Sequence, residues 1–152
     1  MDLLSHILLT RLTVGRETST LAASIAPDLP WHLIYLPYII ARGEAGRALR
    51  NSEWPASPPW MESLHHATHS FVVLAVATAF WRLIAGRWPR KETAAWGLHI
   101  LVDIPTHARC LWGPRFLWPI SDWAVDGIPW AVIASQWLSK VLSWVEPRYH
   151  KR

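Results

Sequence analysis

Two stretches of the chain carry residues able to do chemistry at spacings that matter. In Leu64-His65-His66-Ala67-Thr68-His69-Ser70, His65 and His69 are four residues apart. On a helix they share a face about one turn apart and can hold one metal ion. In His99-Ile100-Leu101-Val102-Asp103-Ile104-Pro105-Thr106-His107, polar residues recur at i, i+4, i+7 and i+8. Helical rotation gathers His99, Asp103, Thr106 and His107 within about a third of the circumference. A neutral imidazole in apolar surroundings needs partners for both ring nitrogens. A metal on one and a carboxylate or carbonyl on the other supply them. Asp28, set between Pro27 and Leu29-Pro30, either adds a carboxylate where a helix breaks or caps the helix that follows. His6, four residues after Asp2, offers a further imidazole. His32 and His150 look incidental to these groupings.

The donor set is all imidazole and carboxylate. That suits a divalent metal, Zn²⁺ best, with Mn²⁺ or Fe²⁺ as alternatives and Mg²⁺ or Ca²⁺ less suited. If His6, Asp28, His65, His69, His99, Asp103 and His107 all converge, they suffice for two ions, an arrangement fit for phosphoester or ester hydrolysis by metal-activated water. Asp28 or Asp103, where not a ligand, would be the catalytic base. Arg109 and Arg115, just beyond His107, either bind an anionic headgroup as substrate-binding residues or anchor the chain at an interface. The competing structural reading is a buried hydrogen-bond network that only holds helices together. The chain has no Gly-x-Ser-x-Gly elbow, phosphate-binding glycine loop or dinucleotide fingerprint.

The elements that must position these residues are apolar helices. Of 152 residues, 51% are hydrophobic and 17% charged, below the roughly 25% charge of soluble domains. There are 12 Trp, a residue that favours the membrane–water boundary. The net charge of +4 is spread in short basic groups between apolar runs, such as Arg42, Arg47 and Arg50, or Arg87, Arg90 and Lys91. That distribution fits loops at an anionic membrane surface and gives no nucleic-acid footprint. Cys110 is the single cysteine, so intrachain disulfides and thiolate clusters are excluded. No basic lead and cleavage site mark residues 1–6, so entry into the membrane without processing is expected.

The residues between Glu62 and Arg82 contain no Asp, Glu, Lys or Arg, and this run is the best single membrane-spanning helix. Residues 2–14 and 93–111 read as further apolar helices, the latter kinked or ended near Pro105. Residues 18–41 read as two short pieces meeting at Pro27-Asp28-Leu29-Pro30. Residues 127–145 read as a last helix, with Trp130, Trp137 and Trp144 on one face. Connections fall at about 42–61, 86–92 and 112–122, the last carrying Asp122, which with Asp126 forms an acidic pair suited to capping or a solvated edge. The expected architecture is an all-α, multi-helical membrane bundle of about four to five helices, forming one membrane-embedded domain over residues 1–152.

Several of these residues occur in a familiar order. His6, Pro27-Asp28, Thr68-His69-Ser70, then His99, Asp103 and Thr106, and finally Leu117-Trp118-Pro119-Ile120-Ser121 resemble the bacterial membrane-bound metal-dependent hydrolase family, itself similar to zinc-dependent phospholipase C-like proteins. The resemblance runs from His6 to about Ser121. It implies a multi-pass protein of the bacterial inner membrane, hydrolysing a lipid or other membrane-associated ester. By motif position it implies His6, Asp28, His69, His99 and Asp103 as metal ligands. The sequence departs from the pattern where Leu29-Pro30 follows Asp28 in place of a second acid. The family's His-Arg-Gly before Thr-His-Ser is also absent, and His65 or His66 is offered in its place.

Two other functions compete. A non-enzymatic membrane subunit or assembly factor would pack its Trp-rich surface against a larger membrane complex, its polar faces serving packing or a chlorin or haem. An ion or proton path through the same residues lacks the repeated spans of transporters.

Overall fold

The computed structural model describes residues 2–46, 48, 54–109, 112–130, 132, 133 and 136. Cys110, Arg47, Arg50, His150 and most of the expected last helix, with Trp137 and Trp144, lie outside the described residues. Among the described residues there are six α-helices and no strands: α1 (Leu3–Thr13), α2 (Thr18–Ile25), α3 (Leu36–Ala41), α4 (Pro59–Thr68), α5 (Phe71–Ala85) and α6 (Arg90–Thr106). The all-helical expectation matches this architecture.

Each element starts and stops for a local reason. The Asp2 carboxylate caps α1, accepting from Ser5 N at 3.0 Å and from Ser5 Oγ at 2.7 Å. Between α2 and α3 the chain passes through a 3₁₀ turn (Ala26–Asp28) and a π-helical turn (Trp31–Tyr35), as two close prolines remove helix donors. Pro59 opens α4, where its missing N–H costs nothing, so the helix begins inside the connection expected over 42–61. Gly86, at φ 71°, closes α5 in the left-handed conformation. Pro105 sits in the last turn of α6, and His107 is already extended.

The run between Glu62 and Arg82 does not form one helix. α4 ends at Thr68, α5 begins at Phe71, and the two are bent by 66°. No single described helix is long and apolar enough to cross a membrane, although this bent pair passes the same test of length and composition jointly. The break is built from its own polar residues. Ser70 Oγ accepts from Val72 N and Val73 N, capping α5, and donates to the Trp118 carbonyl. Thr68 Oγ1 is within 3.0 Å of both the Pro27 and His65 carbonyls. Trp96 Nε1 donates to the Thr68 carbonyl at 2.7 Å. Four segments therefore stabilise the interruption.

Two cores result. Tyr35, Ile39, Ala48 and Met61 are buried together, with Trp31, Trp54 and Trp112 packed on them. The second core, where α1, α2, α4 and α6 meet, is polar: His6, Thr10, Thr20, Ser24, His65, His69, His99 and Asp103 are all buried. α6 lies against α2, α1 and α5. Its N-terminal end is tied to α2 by the Glu17–Lys91 ion pair and by Ser19 donating to Glu92.

From His107 to Pro129 the described chain is irregular. It is strapped to the end of α6 by Gly127 N donating to His107 O and Ile128 N to Pro105 O, each at 2.9 Å. A Cβ on Gly127 would meet the Pro105 carbonyl oxygen at 2.4 Å, so this crossing requires glycine.

Candidate metal centre

Four side chains from three places in the chain converge in the polar core. Asp28 comes from the 3₁₀ turn, His69 from the break between α4 and α5, and His99 and Asp103 from α6. One ligand atom from each lies within 4.8 Å of the others. His99 and Asp103 are a turn apart on one face of α6, which places both toward the break. Pro27 and Pro30 interrupt the helical path so that Asp28 makes no helix-capping hydrogen bond, and its carboxylate turns to the two imidazoles instead.

The distances suit a small cation. Asp28 Oδ1 is 3.5 Å from His69 Nε2 and 3.6 Å from His99 Nε2. Asp103 Oδ2 is 3.6 Å from His69 Nε2 and 3.1 Å from His99 Nε2. The two Nε2 atoms are 3.2 Å apart. A tetrahedral ion with zinc–nitrogen and zinc–oxygen bonds needs ligand atoms about 3.3 Å from one another. The five separations bracket that value.

The outer contacts set the correct tautomers. A carbonyl only accepts, so the His99 ring donates from Nδ1 to Ser24 O at 2.7 Å, and the His69 ring from Nδ1 to His65 O at 2.9 Å. In its neutral form each ring then presents an Nε2 lone pair to the centre. His6 stacks on His99 with ring centroids 3.7 Å apart. Its buried Nε2 is 3.2 Å from Asp103 Oδ1, yet has no aligned hydrogen bond among the described residues. Two carboxylates and two imidazoles thus turn electron pairs inward, a donor set that fits a divalent cation.

Electrostatics agree with this arrangement. Asp28, His99 and Asp103 lie outside the bent α4–α5 pair. Burial works to raise both carboxyls, but hydrogen bonds from His69 and His99 outweigh it at Asp28, holding that carboxyl well below the usual carboxylate range. At Asp103, the close imidazoles of His6, His69 and His99 do the same. Burial works to lower His99, yet its hydrogen bonds to Asp103 and Asp28 push it up to about 9. Without metal, a proton partly fills the place of the cation.

The structure sets the other expected ligands outside this group. The His65 ring spends Nε2 on the Trp112 carbonyl at 3.1 Å. Its contribution to the centre is its backbone carbonyl, which orients His69, and its expected pairing with His69 around one ion gives way to this support. His107 is at the extended end of α6, its Nδ1 donating to the Asp103 carbonyl at 3.1 Å and lying 3.6 Å from Asp103 Oδ1. His6 lies beside the four-residue group.

Among the described residues, the centre meets a cavity at Asp28. The Asp28 side chain is 15% exposed, while those of His69, His99 and Asp103 are at most 1% exposed. Asp28 lines a cavity of about 510 Å³ that is walled by Trp31, Trp54, Trp112 and Trp130 and bordered by His65 and His107. His32 also lines it, its Nδ1 donating to the Asp28 carbonyl at 3.0 Å. His32, incidental by its sequence spacing, thus borders the cavity that meets the centre. A bulky aromatic beside a histidine directly after Pro-Asp-Leu-Pro was the available signal, since π-helical turns collect at functional sites.

Arg109 and Arg115 line a different cavity, of about 390 Å³, with Glu62, His66 and Asp122. Arg115 pairs with Asp122 at 2.7 Å, and Asp126 accepts from Arg109 N at 2.8 Å. Trp54 and Trp112 line both cavities.

Fold and site together define an all-helical protein with a buried His/Asp centre that could hold a metal ion. No family model, curated protein or solved structure matches the chain.

Proposed function

We propose that this protein is a membrane-associated, metal-dependent hydrolase acting on an ester or phosphoester of a lipid-like substrate. The observation that carries the reading is the convergence of Asp28, His69, His99 and Asp103, with Nε2 atoms turned inward, beside a cavity that Asp28, of these four, lines. A divalent ion, zinc by the chemistry of the donors, supplies a Lewis acid and lowers the pKa of water toward about 7. His69, His99 and Asp103 hold the ion in the buried part of the centre. His65 and Ser24 keep the two imidazoles in the ligating tautomer through their carbonyls. His6 steadies Asp103 from the far side. Asp28, on the cavity wall, is the carboxylate that meets entering water and takes its proton.

Association with a membrane is supported by apolar side chains that stand exposed among the described residues. Leu4, Leu8 and Leu12 form a stripe along α1, and Val76, Phe80, Leu83 and Ile84 form another along α5, each more than half exposed. These stripes follow the helical period and are continuous, unlike the scattered apolar residues of ordinary surfaces. The resemblance to the membrane-bound hydrolase family points the same way, including to the bacterial inner membrane.

Elemental analysis of the purified protein tests the reading. Zinc, manganese or iron near one equivalent is expected, with loss of metal in His69→Ala and Asp103→Ala. A folded, unmutated protein with no divalent metal, even after incubation with zinc, overturns it.

A further inference from the structure

The cavity at Asp28 narrows the substrate. Among its described lining residues there is no Lys or Arg, and the ionisable groups are Asp2, Asp28 and the imidazoles of His32, His65 and His107. Beyond the proposed divalent ion itself, a phosphomonoester dianion entering there would meet carboxylates and no Lys or Arg among the described lining residues, so the ion alone would have to offset its charge. Arg109 and Arg115 line the other cavity, together with Glu62 and Asp122. The wall facing Asp28 is instead built of four indoles drawn from distant parts of the chain, Trp31, Trp54, Trp112 and Trp130. At about 510 Å³, the space is in the range that encloses a small organic ligand.

We infer that this cavity takes the apolar acyl group of an uncharged carboxylic ester, with the ester carbonyl at the Asp28 end and the acyl chain against the four tryptophans. The inference rests on the hydrolase reading and chooses the carboxylic ester over the phosphoester. The reaction balances without any further reagent. The oxygen of water adds to the acyl carbon, and one water proton passes to the Asp28 carboxylate. The bond from acyl carbon to alkoxy oxygen then breaks, the departing alkoxide takes that proton, and a carboxylic acid and an alcohol leave.

The test uses the full zinc-loaded chain and two independent readouts. In the first, p-nitrophenyl acetate, butyrate and octanoate are compared with p-nitrophenyl phosphate. Buried methylenes add binding energy, so kcat/KM is expected to rise by about tenfold or more from acetate to octanoate, with the phosphate the poorest substrate. Trp130→Ala flattens that rise. In the second, an octanol brominated at its far end, which cannot be hydrolysed, is titrated into the unmutated protein. Saturable quenching of tryptophan fluorescence, reversed by unbrominated octanol, is expected. Quenching without turnover of any ester supports the apolar occupant while removing the hydrolase reading. Preferential turnover of the phosphate overturns the inference while leaving a metal-dependent hydrolase in place. A flat ester series with no saturable quenching also overturns it.

Discussion

The Nε2 atoms of His69 and His99 face each other across 3.2 Å, although one ring comes from a helix break and the other from the middle of α6. Neither ring can turn away without giving up an Nδ1–H bond to a buried carbonyl, that of His65 or of Ser24. Two neutral imidazoles held so would oppose lone pair to lone pair. A proton or a cation between them removes the conflict, and the carboxylates of Asp28 and Asp103 favour either.

Metal and proton therefore compete. His99, raised from 6.5 to about 9, adds stability to the metal-free protein that is complete below pH 6.5 and is lost as pH rises through about 9. The depressed Asp28 and Asp103 carboxyls contribute above their ordinary 3.8, and that part is lost as pH falls below it. Zinc must displace the His99 proton, so affinity should increase roughly tenfold per pH unit between about pH 6 and 8. Calorimetry in buffers of different ionisation enthalpy should show net proton release on zinc binding at pH 7. Affinity independent of pH over that range would count against an imidazole-ligated ion.

Asp28 and Asp103 should separate on substitution. Asp103 is buried between His6, His69 and His99, and Asp103→Asn should abolish metal retention on dialysis. It should also cost about 3 kcal/mol in stability, because charged or polarised partners remain buried without their carboxylate. Asp28→Asn should retain zinc, weakened by about tenfold, and lower kcat by about 10² or more, as removal of a general base does. Metal content and turnover measured on the same preparations distinguish these roles. If both variants lose zinc equally, Asp28 is a ligand and not the base.

The four central residues were legible because polar groups in apolar helices stand out, and because His99 and Asp103 obey the helical period. Their partners were harder to read. His65 shares its spacing with His69, but the Trp112 carbonyl, 47 residues away, claims its Nε2. Local periodicity carries no trace of that contact. The run from Ser63 to Trp81 read as one span because composition alone fits one. It breaks at His69 because Ser70 and Thr68 find better partners in Trp118 and Pro27 than a continuous helix offers them. The cavity was invisible for the same reason: its four tryptophans meet only through tertiary packing.

Gly127 tests how firmly the irregular strap positions the site. Its backbone crosses Pro105 and His107 with no room for a side chain, and His107 borders the cavity. Gly127→Ala should lower stability by about 1–3 kcal/mol, the usual cost of forcing atoms into a packed contact. Zinc content should stay unchanged, since the four central residues lie on other elements. Denaturant melts with parallel metal analysis check this. A neutral substitution would show that the strap yields easily and exerts little hold on His107.

The last prediction concerns the apolar stripes on α1 and α5. Leu8 and Phe80 are each more than half exposed, and burying such side chains in lipid is worth about 1.5–3 kcal/mol apiece. A charge placed there would forfeit that gain and add the cost of bringing a carboxylate into hydrocarbon. The unmutated protein should partition with membranes and withstand carbonate extraction. Leu8→Glu/Phe80→Glu should shift it markedly toward the aqueous fraction while its zinc content holds, because neither residue touches the polar core. The two readouts make the result specific: loss of zinc together with loss of binding would mean misfolding. Membrane binding unaffected by the double substitution would remove lipid as what covers these stripes and leave a protein partner as the alternative. Co-purification of that partner from detergent extracts would then replace the lipid surface in the account of α1 and α5, while leaving the metal centre as it stands.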